Sequence, residues 1–449
     1  MKNKVKEEIA IFGSVVKWVA LASFVGVIVG ISTSVFLSLL NLGISLSANQ
    51  QYYYTLLPVA FFLSAALVKY LAPDAKGHGT EKVIEAVNKY SGRIKARVIP
   101  VKLLSTIITI AAGGSAGKEG PAAQIGAGLS SSFADIIRLK EHDHKKLVIC
   151  GISAGFASVF GTPIAGAIFG VEVLVVGGIM YEVLLPSFVA GIVGYHTAAS
   201  LGTTFLQQDI IFSQAYGGKF LFEVMLSGVF FGLCSVLLIE TIGLGERVSD
   251  RLKLWEPMKG VVGGIFLVFL TLLVSAKYLG LGIPQITSAL QGEKMMWYDF
   301  ALKSLYTSIT LNFGGSGGII TPIFFIGSTA GNVFAQFMSL DIATFSAIGL
   351  VSVLAGAANT PIAASIMAVE LFGPEIGPYA ALACIISFLM TGHRSVYPSQ
   401  TLAVRKAESV TVKLGRDIED ACPKTDMKTG EITRSIRKLG RLGKKDRKP

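Results

Sequence analysis

The sequence predicts an all-α membrane protein assembled from two homologous halves, and three observations lead there. Of 449 residues, 52% are hydrophobic and 15% charged, with a mean hydropathy of +0.61, so the main solvent of the chain is lipid. Apolar runs recur at 15–40, 56–68, 220–239 and 261–274. Several fall short of the roughly 20 residues that a perpendicular span needs, which predicts short or broken helices. These runs are continuous and apolar on every face, without the alternation of a lipid-facing barrel strand. The third observation is an internal repeat.

Sliding the sequence on itself by about 200 residues aligns three segments in order. GHGTEKV at Gly77 pairs with GLGIPQI at Gly280, GGSAGKEGPAAQIG at Gly113 with GGSGGIITPIFFIG at Gly314, and TPIAGAIFGVE at Thr162 with TPIAASIMAVE at Thr360. The offsets are 203, 201 and 198 residues, too regular for composition alone. The expected organisation is a cytoplasmic N-terminus over 1–12, a first membrane repeat over 13–204, a second over 205–404 and a basic cytoplasmic tail over 405–449. An odd number of segments in each half would invert one half relative to the other in the bilayer.

The flanks fit this plan. The apolar run after MKNKVKEEIA is too long for a secretory signal. From Arg405 onward hydrophobic periodicity fades and basic residues supply most of the formal net charge of +11. A basic end after the last membrane segment follows the positive-inside rule, places both termini in the cytoplasm, together with Lys2, Lys4 and Lys6, and needs no nucleic-acid partner. Cys150, Cys234, Cys384 and Cys422 lack metal-ligand or disulfide spacing and read as packing residues. EHDHKK from Glu141 reads as a charged loop rather than a metal site.

The repeat converts into a site. Every matched segment carries Gly or Pro at the edge of an apolar run, where a helix breaks and leaves backbone N–H groups without partners. In repeat-built transporters such breaks meet near the midplane. Pro121 and Pro322 suit a first helical turn, which predicts helices starting near Gly120 and Thr321. Helix N-termini converging on one point attract an anion without any buried lysine. Glu119 lies at that point, as a carboxylate at a depth where its charge is expensive.

These residues resemble the CLC family of chloride channels and chloride/proton exchangers, whose signatures read GSGIP, G(K/R)EGP and GxFxP, followed by a late tyrosine. GKEGP from Gly117 to Pro121 matches in full, GHGTE from Gly77 and GIITP from Gly318 match in part, and Tyr397 stands in GHRSVYPSQ. The resemblance spans about residues 10–400. It implies a homodimer with an anion pore in each subunit, two inverted halves and about 18 helices of uneven length. It also implies that His78, Glu119, Ile320 and Tyr397 line the path, with backbone N–H donors at Gly120, Ile320 and Thr321. The helix breaks fall at Gly77, Gly79, Gly117, Pro121, Gly318 and Pro322. No cofactor is expected beyond bound chloride or another halide, and the partners are a small anion, protons and membrane lipids.

On this resemblance Glu119 is the gating group. Ionised, it occupies the anion's place; protonated, it loses its attraction to the helix ends and leaves, which couples a proton to anion passage. The sequence departs from the family in three places. Val173 stands where exchangers carry an inward-facing glutamate, which leaves channel and exchanger both open and Glu172 as a further proton candidate. His78 replaces serine, and its imidazole either faces the anion or turns to a backbone carbonyl. Ile320 replaces phenylalanine. A fluoride/proton antiporter of the same family is the alternative. An intramembrane enzyme is disfavoured because neither Ser115 nor His78 has an evident acid–base partner.

Overall fold

The structure, a computed structural model, describes residues 2–48, 50–205, 217–408, 410–421 and 424–425. Cys422 and most of the tail lie outside the described residues. Within them are sixteen α-helices, near the expected eighteen. In chain order the first eight are α1 (Lys2–Ala48), α2 (Leu57–Leu71), α3 (Thr80–Lys89), α4 (Val98–Ala111), α5 (Glu119–Ile136), α6 (Glu141–Phe160), α7 (Pro163–Glu172) and α8 (Tyr181–Ser200). The second eight are α9 (Gly218–Arg251), α10 (Glu256–Leu273), α11 (Ile283–Leu290), α12 (Asp299–Asn312), α13 (Ile320–Met338), α14 (Ile342–Ala358), α15 (Pro361–Phe372) and α16 (Gly377–Met390). α1 is continuous from Lys2, so the boundary after residue 12 falls inside one helix rather than between two units.

Each helix of the first eight has its counterpart in the second, and the packing repeats with them. α5 lies on α6 as α13 lies on α14, and α1 lies on α8 as α9 lies on α16. Besides α5 and α13, two counterpart pairs touch directly, α2 with α10 and α7 with α15. In the latter pair each helix's C-terminal glutamate reaches the other's N-terminus: Glu172 accepts from the N–H groups of Ile362 and Ala363 at 3.0 and 2.8 Å, and Glu370 from those of Ile164 and Ala165 at 3.0 and 2.7 Å. Homologous helices that cap one another this way run antiparallel, which is the inverted relation the repeat calls for.

Five helices, α1, the stretch ending in α2, α8, α9 and α10, are long and apolar enough to cross a membrane by length and composition. Their outer faces expose Phe12, Phe24, Val35, Phe222, Leu233, Phe266 and Leu272, among others. Such an apolar exterior belongs against lipid. α5, α6, α13 and α14 are instead buried on nearly all faces and form the centre. Among the described cysteines, Cys150, Cys234 and Cys384 are buried free thiols.

EHDHKK opens α6 rather than forming a loop. There Asp143 meets Lys17 at 2.5 Å, His144 meets Asp135 at 3.3 Å and His142 meets Glu182 at 3.3 Å. The first part of the tail also has structure. The strands Val175–Val176, Thr401–Leu402 and Arg416–Asp417 form a small sheet, and Val176, Leu402, Val412, Ile418 and Ala421 pack into a core of their own. Lys89 at the end of α3 pairs with Asp417 at 2.6 Å, and Ser91 just beyond it donates to Glu141 at 2.6 Å. The C-terminal segment therefore lies on the same face as the N-terminal part of α1.

Candidate functional site

The two glycine-rich loops meet at the centre of the molecule. Gly117 and Gly318, counterparts at an offset of 201, form an antiparallel bridge in which each N–H donates to the other's carbonyl at 2.6 Å. Outside the bridge the match continues. Ser115 N–H donates to Thr310 Oγ1 at 3.0 Å, and Ser316 N–H donates to Thr109 Oγ1 at 2.9 Å. Each threonine also donates to the carbonyl four residues back in its own helix, so each loop is tied to the other half's helix. α5 and α13 then open from adjoining points, starting at Glu119 and Ile320, with Pro121 and Pro322 in their first turns.

Close approach explains the glycines. A Cβ on Gly120 would lie 2.1 Å from the His78 carbonyl oxygen, and one on Gly79, whose φ is +80°, would lie 2.6 Å from the Gly120 carbonyl oxygen. One on Gly117 would lie 2.6 Å from Glu119 Oε2. The GHGTE loop, the GKEGP loop and the GIITP loop are thus pressed into one cluster, as the helix-break pattern predicts. Gly77, with φ +81°, has open space around it and serves the turn alone.

Glu119 sits in this cluster, 2% exposed. Its carboxylate accepts from the Thr321 backbone N–H at 3.1 Å and from the Thr321 hydroxyl at 2.6 Å. The acidic side chain of one half therefore occupies the N-terminus of the counterpart helix, where backbone donors and the helix dipole favour negative charge. Ile320 is fully buried beside it.

On one side of the cluster are four buried polar atoms without hydrogen-bond partners: His78 Nδ1, Thr80 Oγ1, Glu81 Oε2 and Tyr397 Oη. Tyr397 is fully buried, with the Thr80 hydroxyl as its neighbour and both Glu81 and Glu119 within electrostatic reach. His78 makes no bond to a backbone carbonyl from Nδ1, which removes that form of the alternative reading.

Two residues that sequence reasoning passed over stand behind the loops. Lys102 in α4 and Lys303 in α12 are counterparts, and both are fully buried. Lys102 Nζ donates to the carbonyls of Ala75 and Gly77 at 3.3 and 2.7 Å, and Lys303 Nζ to those of Tyr278 and Gly280 at 3.0 and 2.9 Å. Neither has a carboxylate within salt-bridge distance among the described residues. Each pins the backbone that leads into its half's first glycine motif. Their signal was visible as a lone lysine in an apolar run, VIPVKLLSTII and DFALKSLYTSI, at the same offset of 201.

Glu172 is not in the cluster. Both of its oxygens are occupied as the cap of α15, in the arrangement that Glu370 repeats at α7. Val173 follows it as a fully buried apolar side chain.

With this geometry in hand, known proteins give a consistent picture. The sequence model of the voltage gated chloride channel family matches residues 59–392. A "Chloride/fluoride channel protein" of Pseudomonas syringae pv. tomato is 35% identical over 89% of this chain and 90% of its own length. An "H(+)/Cl(-) exchange transporter ClcA" of Klebsiella pneumoniae is 26% identical over 73% of this chain and 74% of its own. Among solved structures, a CLC-type fluoride/proton antiporter superposes with a TM-score of 0.82 at 28% identity, covering 86% of this chain and 98% of that one. A slow cyanobacterial Cl−/H+ antiporter superposes with a TM-score of 0.73 at 19% identity, covering 83% and 94%, and speaks for the fold alone.

Proposed function

This chain belongs to the voltage gated chloride channel family, so it is a multi-pass membrane protein of anion transport and not an enzyme, and we propose that it exchanges a small halide for protons through a path governed by Glu119. The observation that carries this reading is the Glu119 carboxylate on the Thr321 N–H and hydroxyl. A carboxylate held by these donors competes with any anion for them. Adding a proton removes the charge that holds it there and turns one oxygen from acceptor to donor, so the side chain leaves and the helix ends become available to the anion. His78, Gly120, Ile320, Thr321 and Tyr397 line the path in this reading. Glu172, with both oxygens spent on a helix cap, is structural. The protein works as a homodimer with one path per subunit, and the face bearing the start of α1 and the strand Arg416–Asp417 is cytoplasmic.

Chloride is the first substrate reading. A second, fluoride, is favoured by the Thr321 hydroxyl, a strong donor suited to a small basic anion. It is supported by the likeness to a chloride/fluoride channel protein at 35% identity and to a fluoride/proton antiporter that superposes at a TM-score of 0.82.

Purified protein in liposomes, with chloride or fluoride gradients and simultaneous proton measurement, tests the proposal. The expected result is anion flux that drives protons uphill. In Glu119→Gln, anion flux should persist without proton movement and without pH dependence. Absence of anion flux at every pH would reject transport by this site, and flux without uphill protons would reject exchange in favour of a passive channel.

A further inference from the structure

Exchange needs a place for the proton on the far side of the anion cluster from Glu119, and the position after Glu172 is Val173. We propose that Glu81, in the first turn of α3, is that second proton-exchanging carboxylate, receiving the proton of Glu119 across Tyr397 and passing it to the face that carries the C-terminal segment. This inference rests on the exchange reading above.

Position leads to Glu81. Among the described residues, the carboxylates buried in the helical body away from the cluster have polar partners of their own. Glu172 caps α15, Asp299 accepts from the Tyr278 hydroxyl at 2.6 Å and pairs with Lys277 at 2.8 Å, and Glu223 lies 3.6 Å from Lys219. Glu81 differs. Its Oε1 accepts from the backbone N–H of Ser399 at 3.0 Å and from the Ser399 hydroxyl, whereas its Oε2 is buried with no partner. Ser399 is two residues beyond Tyr397, and Thr80, whose hydroxyl neighbours that of Tyr397, is the residue before Glu81.

α3 starts against the anion cluster, with Gly79 on Gly120, and ends at the surface, where Lys89 pairs with Asp417. Its ten residues span about 15 Å, so Glu81 is one step from the cluster on a helix that leads outward. The residues beside it, Lys82 and Glu85, line a polar cavity open to solvent together with Asp74, Lys89 and Gln124. The charges acting on Glu81 are those of Lys82 and Glu85 on its own helix. From α5, Glu119 acts on Tyr397; from α6, His144 is held by Asp135 and Ser131 near the loop that follows α3.

The transfer balances without any redox partner. The O–H bond of the Glu119 carboxylic acid breaks, the proton passes along the Tyr397 and Thr80 hydroxyls and intervening water, each group giving up one proton as it accepts another, and an O–H bond forms at Glu81 Oε2. Loss of that proton to the solvent of the cavity restores the carboxylate.

Liposomes holding wild-type protein, Glu81→Gln and Glu81→Asp, with anion and proton fluxes read together, decide the matter. Glu81→Gln should keep anion flux and lose uphill proton movement, and Glu81→Asp should retain it. Wild-type coupling in Glu81→Gln overturns the assignment while leaving Glu119 and the exchange reading intact; a wild type that moves anions without protons overturns both. If Glu81→Gln does not assemble, Ser399→Ala decides. It removes the hydroxyl donor to Oε1 and keeps the backbone N–H, which still favours the protonated form and must shift the midpoint of proton flux to higher pH. An unchanged midpoint overturns the proposal.

Discussion

The GKEGP loop of the first half and the GIITP loop of the second share a backbone and differ in what they can titrate. They bridge one another through Gly117 and Gly318, each is tied to the opposite half by a serine–threonine bond, and each leads into a helix with proline in its first turn. At the first helical residue, however, one loop has Glu119 and the other Ile320. At the preceding motif one has His78 and the other Leu281. The halves thus build the donors together, and at these matched positions only the first half carries titratable side chains. A protein with inverted symmetry in its backbone acquires a direction through a few side chains.

The largest expected effect breaks the packing side of this comparison. Gly120 and Thr321 are counterparts, yet a methyl on Gly120 would lie 2.1 Å from the His78 carbonyl oxygen, whereas Thr321 already has a side chain. Gly120→Ala should cost about 3 kcal/mol and abolish transport, read as a lower thermal unfolding midpoint in detergent and lost flux. Thr321→Ala should leave the folded protein intact. Equal stability of the two variants would mean that the first loop is not the more tightly pressed one.

An intermediate effect tests what the halves share. Lys102 and Lys303 hold equivalent carbonyls by equivalent bonds, so Lys102→Met and Lys303→Met should lower stability by similar amounts. Each removes a charge-assisted donor worth about 1.5 kcal/mol or more, measurable as a lower thermal unfolding midpoint in detergent. If only Lys102→Met has an effect, the pinned turn matters in the first half alone.

Much of this was legible in the sequence, and the gaps have physical causes. The repeat survives as identical glycines, serines and prolines because those positions are fixed by close approach and helix entry, which tolerate little else. Glu119 is conspicuous as a charge between apolar runs. Lys102 and Lys303 offered the same signal and were passed over, because helix ends alone sufficed to explain an anion site. Glu81 was hidden by its company: TEKVIEAVNK reads as a solvated amphipathic helix, and only the fold brings Ser399, 318 residues away, onto its carboxylate. The C-terminal strands are two residues long and leave no periodicity to detect.

The smallest effect separates structural symmetry from functional asymmetry at Glu172 and Glu370. Each carboxylate satisfies two N–H groups at the start of the counterpart helix, and a helix cap of this kind is worth about 1 kcal/mol. Glu172→Ala and Glu370→Ala should therefore each lower stability by about that amount, Glu172 somewhat more because it is the more deeply buried. Denaturant or thermal unfolding in detergent gives the two losses. The ratio of protons to anions should be unchanged in both, because each carboxylate serves as the cap of the counterpart helix. Loss of coupling in Glu172→Ala with coupling preserved in Glu370→Ala would break the symmetry of the pair. The proton would then run along α7, and the outward route by way of α3 and Glu81 would fail with it.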